Sequence, residues 1–134
     1  MVEGSGTGSD SGIVSKTRSG SVAEVVAEFI GLLDGRGMKV FAVVNHSGEA
    51  SQAGLELRDT TLVIFGSPAG GTPVMQAAPL AALDLPLKVL VWDDRGQTTI
   101  SYTRPEVLAA RHHLTEELAA RLEGIGPLTD ALVS

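Results

Sequence analysis

Three short apolar runs, residues 38–44, 61–65 and 87–92, constrain this chain more than any other feature. Each is rich in β-branched residues, and each is too short for a typical helix. They read as strands, and strands need partners, so the fold must contain a sheet. Residues 13–18 are a fourth candidate, with Lys16 and Arg18 expected to alternate outward. Residues 97–102 are a fifth, reached through Asp93-Asp94-Arg95-Gly96, a hairpin turn with glycine where positive φ is needed. The run at 38–44 is expected in the middle of the sheet.

Helices flank these strands. Ser21-Val22-Ala23-Glu24 is a capping box, in which Ser21 accepts from the first turn and Glu24 reaches back to the cap N–H. Val22, Val25, Val26, Phe29 and Leu33 then fall on one face, and Gly35 and Gly37 offer the left-handed exit. Residues 49–53 fit a short helix stopped by Gly54, and residues 74–78 a helical turn closed by Pro79. Pro105 opens a helix reaching about His113, and Thr115 caps another that carries Leu118, Leu122 and Ile125. Gly126-Pro127 is expected to break that helix before a last turn with Leu128, Ala131 and Leu132.

The order β-α-β-β-β-β-α, with short helical interruptions, implies an α+β two-layer sandwich. One mainly antiparallel sheet of about five strands would be covered by helices. An open parallel sheet is the alternative, although its crossovers need about a dozen residues each. A chain of 134 residues is one domain by size. The Gly/Ser-rich start, residues 1–12, is expected to be a flexible tail before a single domain at 13–134. It has neither the basic start nor the apolar segment of a signal peptide. No apolar run reaches the roughly 20 residues a membrane helix needs, so a cytoplasmic protein with no membrane contact is expected.

Composition excludes several functions. There is no cysteine, which removes disulfides, thiol nucleophiles and thiolate metal sites. The net charge of -6, with no basic cluster, argues against nucleic acid as a partner. With aromatics at only 4%, stacking platforms for bases or sugars are scarce.

Against that background the turn at His46, Ala50, the Ala53-Gly54-Leu55 corner, the loop Phe65-Gly66-x-Pro68 and Leu85-Pro86-Leu87 with Lys88-Val89-Leu90 form a recognisable set. Together they resemble the domain of unknown function 302 family over roughly residues 13–114. The resemblance implies a two-layer α/β fold and a homodimer, and assigns no biochemical function. This chain has Ser67 where the family loop usually has Asn, and Asn45 where an Asp usually precedes the His.

Two places invite chemistry. Gly66 to Thr72 reads G-x-x-x-x-G-T, a phosphate loop without its lysine, and the strand ending at Asp93 imitates a magnesium-holding partner. The missing lysine argues against triphosphates, and the loop reads first as a bend. Gly66, Ser67, Gly70, Gly71 and Thr72 remain candidate ligand contacts, with the amides of Gly70, Gly71 and Thr72 as a nest for a small anion. His46 leaves a strong strand and is a candidate for acid–base work, with Ser67 as a loop partner. His112 and His113 point about 100° apart on a helix, so they cannot share a metal and read as surface groups. Trp92 and Tyr102 are expected to pack beneath the helices, although a dimer contact would also suit them. No metal or cofactor is expected. The leading expectation is a non-catalytic small-ligand-binding or regulatory module. The alternatives are an enzyme using His46 and a protein-interaction module acting through its dimer surface.

Overall fold

Strand formation follows the β-branched runs closely. A computed structural model describes residues 11–133 and contains β1 (Ile13–Arg18), β2 (Lys39–Asn45), β3 (Thr60–Gly66), β4 (Leu87–Asp94) and β5 (Gln97–Thr103). They form one sheet in the order β1-β5-β4-β3-β2, and every neighbouring pair is antiparallel. The open parallel alternative is therefore excluded. The helices are α1 (Val22–Gly35), α2 (His46–Gln52), α3 (Pro68–Ala77), α4 (Pro105–Arg111), α5 (Glu116–Ala120) and α6 (Ile125–Val133), with a 3-10 turn at Pro79–Leu83.

The run at 38–44 is not central. β2 is an edge strand, and β4 lies in the middle. Antiparallel pairing throughout makes β1 and β2 parallel to each other at opposite edges, so α1 must carry the chain across the whole sheet. Its 14 residues span about 21 Å at 1.5 Å each, close to the width of five strands. The edge is interrupted by a bulge near Phe41, where the register with β3 shifts, a common way of making an edge unattractive for further pairing.

The Ser21–Glu24 capping box forms as expected, with both reciprocal bonds present. Val25, Phe29 and Leu33 of α1 are fully buried against Val63, Phe65, Val89 and Val91. Phe29 meets Phe65 edge to face, with ring centres 5.3 Å apart, the arrangement aromatic quadrupoles prefer. Ile125, Leu128 and Leu132 of α6 complete this layer. Gly126-Pro127 does not break the helix but lies in its first turn, where proline's missing N–H is tolerated.

Lys16 and Arg18 point toward this helical layer, not away from it. Lys16 Nζ donates to Thr129 Oγ1 at 2.6 Å and to Gly126 O at 3.2 Å, and pairs with Asp130 at 2.8 Å. It also lies 5.2 Å from the centre of the Tyr102 ring. Arg18 forks onto both carboxylate oxygens of Glu28 in α1 and donates to Leu132 O. Edge-strand stems cover the core margin while their heads bind the helices. Tyr102 packs beneath α6 as expected. Trp92 does not; it is on the opposite face, where its Nε1 donates to Ser101 Oγ at 3.0 Å.

That opposite face also carries Leu62, Ile64 and Leu90, which register places beside one another or beside Lys88. None of these belongs to an apolar core cluster. Residues 1–10 of the expected tail lie outside the described residues. Gly12 is docked: it is buried, its carbonyl accepts from Arg104 N at 2.8 Å, and its φ is +75°. A Cβ there would come within 2.6 Å of Val107.

Candidate functional site

Register brings the start of β2, the end of β3 and the start of β4 to one end of the sheet, through the pairs Lys39–Gly66 and Phe65–Leu87. The chain leaves β3 there at Gly66. The expected bend proves to be short: Ser67 caps a helix that begins at Pro68, well before the turn expected at 74–78. Pro68 suits that first position because it lacks the N–H a helix start leaves unpaired. Ser67 O accepts from Gly70 N and Gly71 N, both at 2.9 Å, and Ser67 Oγ accepts from Gly70 N at 3.3 Å. Both glycine donors of the imagined anion nest are thus already bonded to Ser67.

Gly66, Ser67, Gly70, Gly71 and Thr72 instead form part of the wall of a cavity of about 270 Å³. Met38, Phe41, Met75, Leu85, Pro86, Leu87 and Leu122 supply most of the remainder, and Arg121 is the single charged residue in the lining. Val74, on the same helix as Gly71, is fully buried in a second apolar cluster with Ala81, Leu108 and Leu122. That cluster holds α3, the 3-10 turn, α4 and the end of α5 together beside the sheet.

By its own propensities α3 is a poor helix. It contains Gly70, Gly71 and an internal Pro73, residues that weaken a helix interior by about 1 kcal/mol for each Gly and about 3 for Pro. The glycines answer no need of the backbone, since neither has positive φ. A Cβ at Gly71 would meet only Met75 Cε at 3.8 Å, an ordinary contact. Their consequence is room beside Met75.

His46 lies elsewhere. It is the first residue of α2, exposed, at the far end of β2 from Lys39. Six strand steps separate that end from the one facing Gly66, or about 20 Å. His46 and Ser67 therefore do not meet. Asn45 caps α2, its Oδ1 accepting from Gly48 N at 2.9 Å. Ser47 Oγ donates to Asn45 Oδ1 and accepts from Thr60 N at 3.1 Å, tying the turn to β3. Asp93 is likewise remote from Gly66, and its Oδ1 accepts from Gly96 N at 2.7 Å within the hairpin turn. Arg95 and Gly96 both have positive φ there.

His112 is not a surface group. Its side chain is only 9% exposed, and Nε2 lies 2.6 Å from Asp84 Oδ2, which also accepts from Arg111 at 3.0 Å. The hydrogen bond with His112 is the main influence holding the Asp84 carboxyl below its ordinary range; partial burial opposes it, and Arg111 adds to it. The link fastens α4 to the segment entering β4, immediately beside the cavity residues Leu85 and Pro86. His113 has φ +54° and turns the chain out of α4. Among the described residues no group of three His, Cys, Asp or Glu side chains is placed to hold a metal ion.

The cavity residues that sequence reasoning missed are Met38, Phe41, Pro68, Met75, Leu85, Pro86, Leu87, Arg121 and Leu122. The sequence holds one local pointer to this wall, the Gly70-Gly71 pair, of which Gly71 stands four residues before Met75.

Comparison with known proteins agrees with this architecture. The family described as "Domain of unknown function DUF302" matches residues 14–127. The chain belongs to the DUF302 family. Its fold is shared with a solved structure, the uncharacterized conserved protein DUF302 from Bacillus stearothermophilus, at a TM-score of 0.77 and 18% identity. That match covers 91% of this chain and 95% of the other. Among curated proteins this DUF302 domain is similar to "Fluoride-specific ion channel FluC 1" of Brucella suis, 38% identical over 125 residues, and to the protein of that name in Brucella abortus, also at 38%. The match covers 90% of this chain but 49% and 46% of those proteins, so the chain spans about half their length. No described helix of this DUF302 domain is long and apolar enough to cross a membrane.

Proposed function

We propose that this DUF302 domain is a non-catalytic, cytoplasmic module that binds a small ligand in the cavity beside α3. The observation that carries the reading is the combination of that cavity with a helical wall bearing Gly70 and Gly71 without steric or backbone need for either. Ligand sites are concave, mainly apolar, and furnished with few polar groups. The distance between His46 and Ser67 supports a binding role over acid–base catalysis. Benzene-saturated buffer, a neutral probe, is expected to shift the methyl resonances of Met38 and Met75 in ¹³C-methyl-labelled protein. Gly71→Leu, which fills the space, is expected to abolish those shifts. An unchanged spectrum in the parent protein would refute an accessible cavity.

The channel names of the Brucella relatives fit a regulatory variant of this reading. Ion conduction needs segments that cross the bilayer, and we read that activity into the half of those proteins that this chain does not span. The domain would then be the ligand-responsive companion of a channel in those proteins, and conduct nothing itself.

The sheet face bearing Leu62, Ile64, Leu90 and Trp92 is proposed as the surface of a homodimer. Five strands of about seven residues cover roughly 24 by 24 Å. Two such faces in contact bury about 1,100 Å², just past the lower limit for a specific interface. Sedimentation equilibrium at micromolar concentration is expected to give twice the chain mass, and Leu90→Glu the single mass. A parent protein that remains monomeric would refute the dimer.

A further inference from the structure

The cavity wall carries information about the shape and charge of its occupant as well as its volume. Both methionines of the described chain, Met38 and Met75, face it, and their flexible thioethers adapt to ligands of irregular outline. Phe41, Leu85, Leu87 and Leu122 add rigid apolar surface. Polar atoms are few and partly engaged: the Ser67 hydroxyl accepts from Gly70, and the Gly70 and Gly71 amides donate to Ser67 O. A sugar or nucleotide would leave many of its hydrogen-bonding groups unpaired here, at a cost its contacts could not recover.

The exception is Arg121. It follows α5, is exposed, and has no ion-pair partner among the described residues. Glu117, four residues earlier, does not pair with it. In a chain with a net charge of -6, an unengaged guanidinium beside an apolar hollow is a polar end for whatever fills that hollow.

We infer that the cavity takes an amphipathic organic acid, with an apolar body among Met38, Phe41, Met75 and Leu122 and an anionic head at the mouth against Arg121. This rests on the ligand-binding reading of the same cavity. Size follows from volume: an apolar cavity of about 150 Å³ accommodates benzene. One of about 270 Å³ accordingly takes a body of roughly ten carbon atoms. The head makes charge-assisted hydrogen bonds to a guanidinium that is pre-formed as a planar fork. Because the mouth is open to solvent, water screens that pairing and limits it to a modest factor.

The test compares 4-phenylbutyrate with 4-phenyl-1-butanol, which has the same body and no charge, and with inorganic phosphate, which has charge and no body. Binding is read from the Met38 and Met75 methyl resonances. The acid is expected to bind about fivefold more tightly than the alcohol at low salt, and phosphate is expected to leave both methyls unmoved. Arg121→Gln should reduce the acid to the alcohol's affinity while leaving the alcohol unchanged, and Arg121→Lys should restore part of the difference. Equal binding of acid and alcohol, or an unaltered ratio in Arg121→Gln, overturns the inference and leaves the cavity reading standing. Failure of both compounds to move either methyl overturns the two together. Tight binding of phosphate alone would place the site on the loop amides and overturn the amphipathic ligand.

Discussion

Replacing Gly71 with alanine should stabilise the protein. A glycine in a turn of positive φ resists such a change, because a side chain in that conformation costs about 1–2 kcal/mol. Gly71 is in the helical region instead, within α3, and the new methyl would have Met75 Cε as its nearest neighbour at 3.8 Å. Removing glycine's backbone freedom from a helix interior is worth about 0.8–1 kcal/mol. The position is in the first turns of the helix, where fraying reduces the effect, so about 0.5–1 kcal/mol is expected. For a domain of this size that is a rise of about 2–5 °C in Tm. Urea denaturation followed by far-ultraviolet circular dichroism measures it as a higher midpoint at unchanged slope. Gly37→Ala is the contrast, since Gly37 has φ +70°; it should lose stability. If Gly71→Ala were destabilised as much as Gly37→Ala, the helical start at Pro68 would be wrong, and with it the account of the cavity wall. A stabilised variant that no longer accepts the apolar probe would show that the glycine is kept for space.

Asp84→Asn should weaken the protein at neutral pH. A carboxyl whose folded-state pKa is depressed stabilises above its unfolded pKa, and that contribution fades as pH falls through the folded value. The stability difference from the parent should therefore shrink as pH drops below the ordinary aspartate range; urea midpoints showing a constant difference through the acid limb would contradict the His112–Asp84–Arg111 link. Lys16→Met keeps the apolar stem but removes the bonds to Thr129, Gly126 and Asp130. It should cost about 1–2 kcal/mol, and a loss within error of zero in chemical denaturation would show that these bonds contribute nothing. Ser21→Ala removes half of the capping box and should cost about 1 kcal/mol by the same measurement.

Local patterns determined a good deal by themselves. The β-branched runs, the Ser21 capping box and the Arg95-Gly96 turn specify backbone states through interactions within a few residues, so the sequence of strands and the α+β class could be read directly. Strand order could not. The run at 38–44 is as apolar as a central strand, yet it stands at an edge because α1 is long enough to carry the chain across the sheet from β1. Direction along β1 failed for a related reason: Lys16 and Arg18 look like solvent-facing residues until α6 and α1 provide Thr129, Asp130 and Glu28 as partners. His112 likewise gained its meaning from Asp84, 28 residues away, which no spacing rule connects to it. The candidate site divides in the same way. Gly66, Ser67, Gly70, Gly71 and Thr72 stood out because their composition is unusual locally. Met38, Leu85 and Arg121 did not, since each is unremarkable until antiparallel pairing and the packing of α5 bring them around one hollow. A cavity is space enclosed by distant segments, and only tertiary packing creates it.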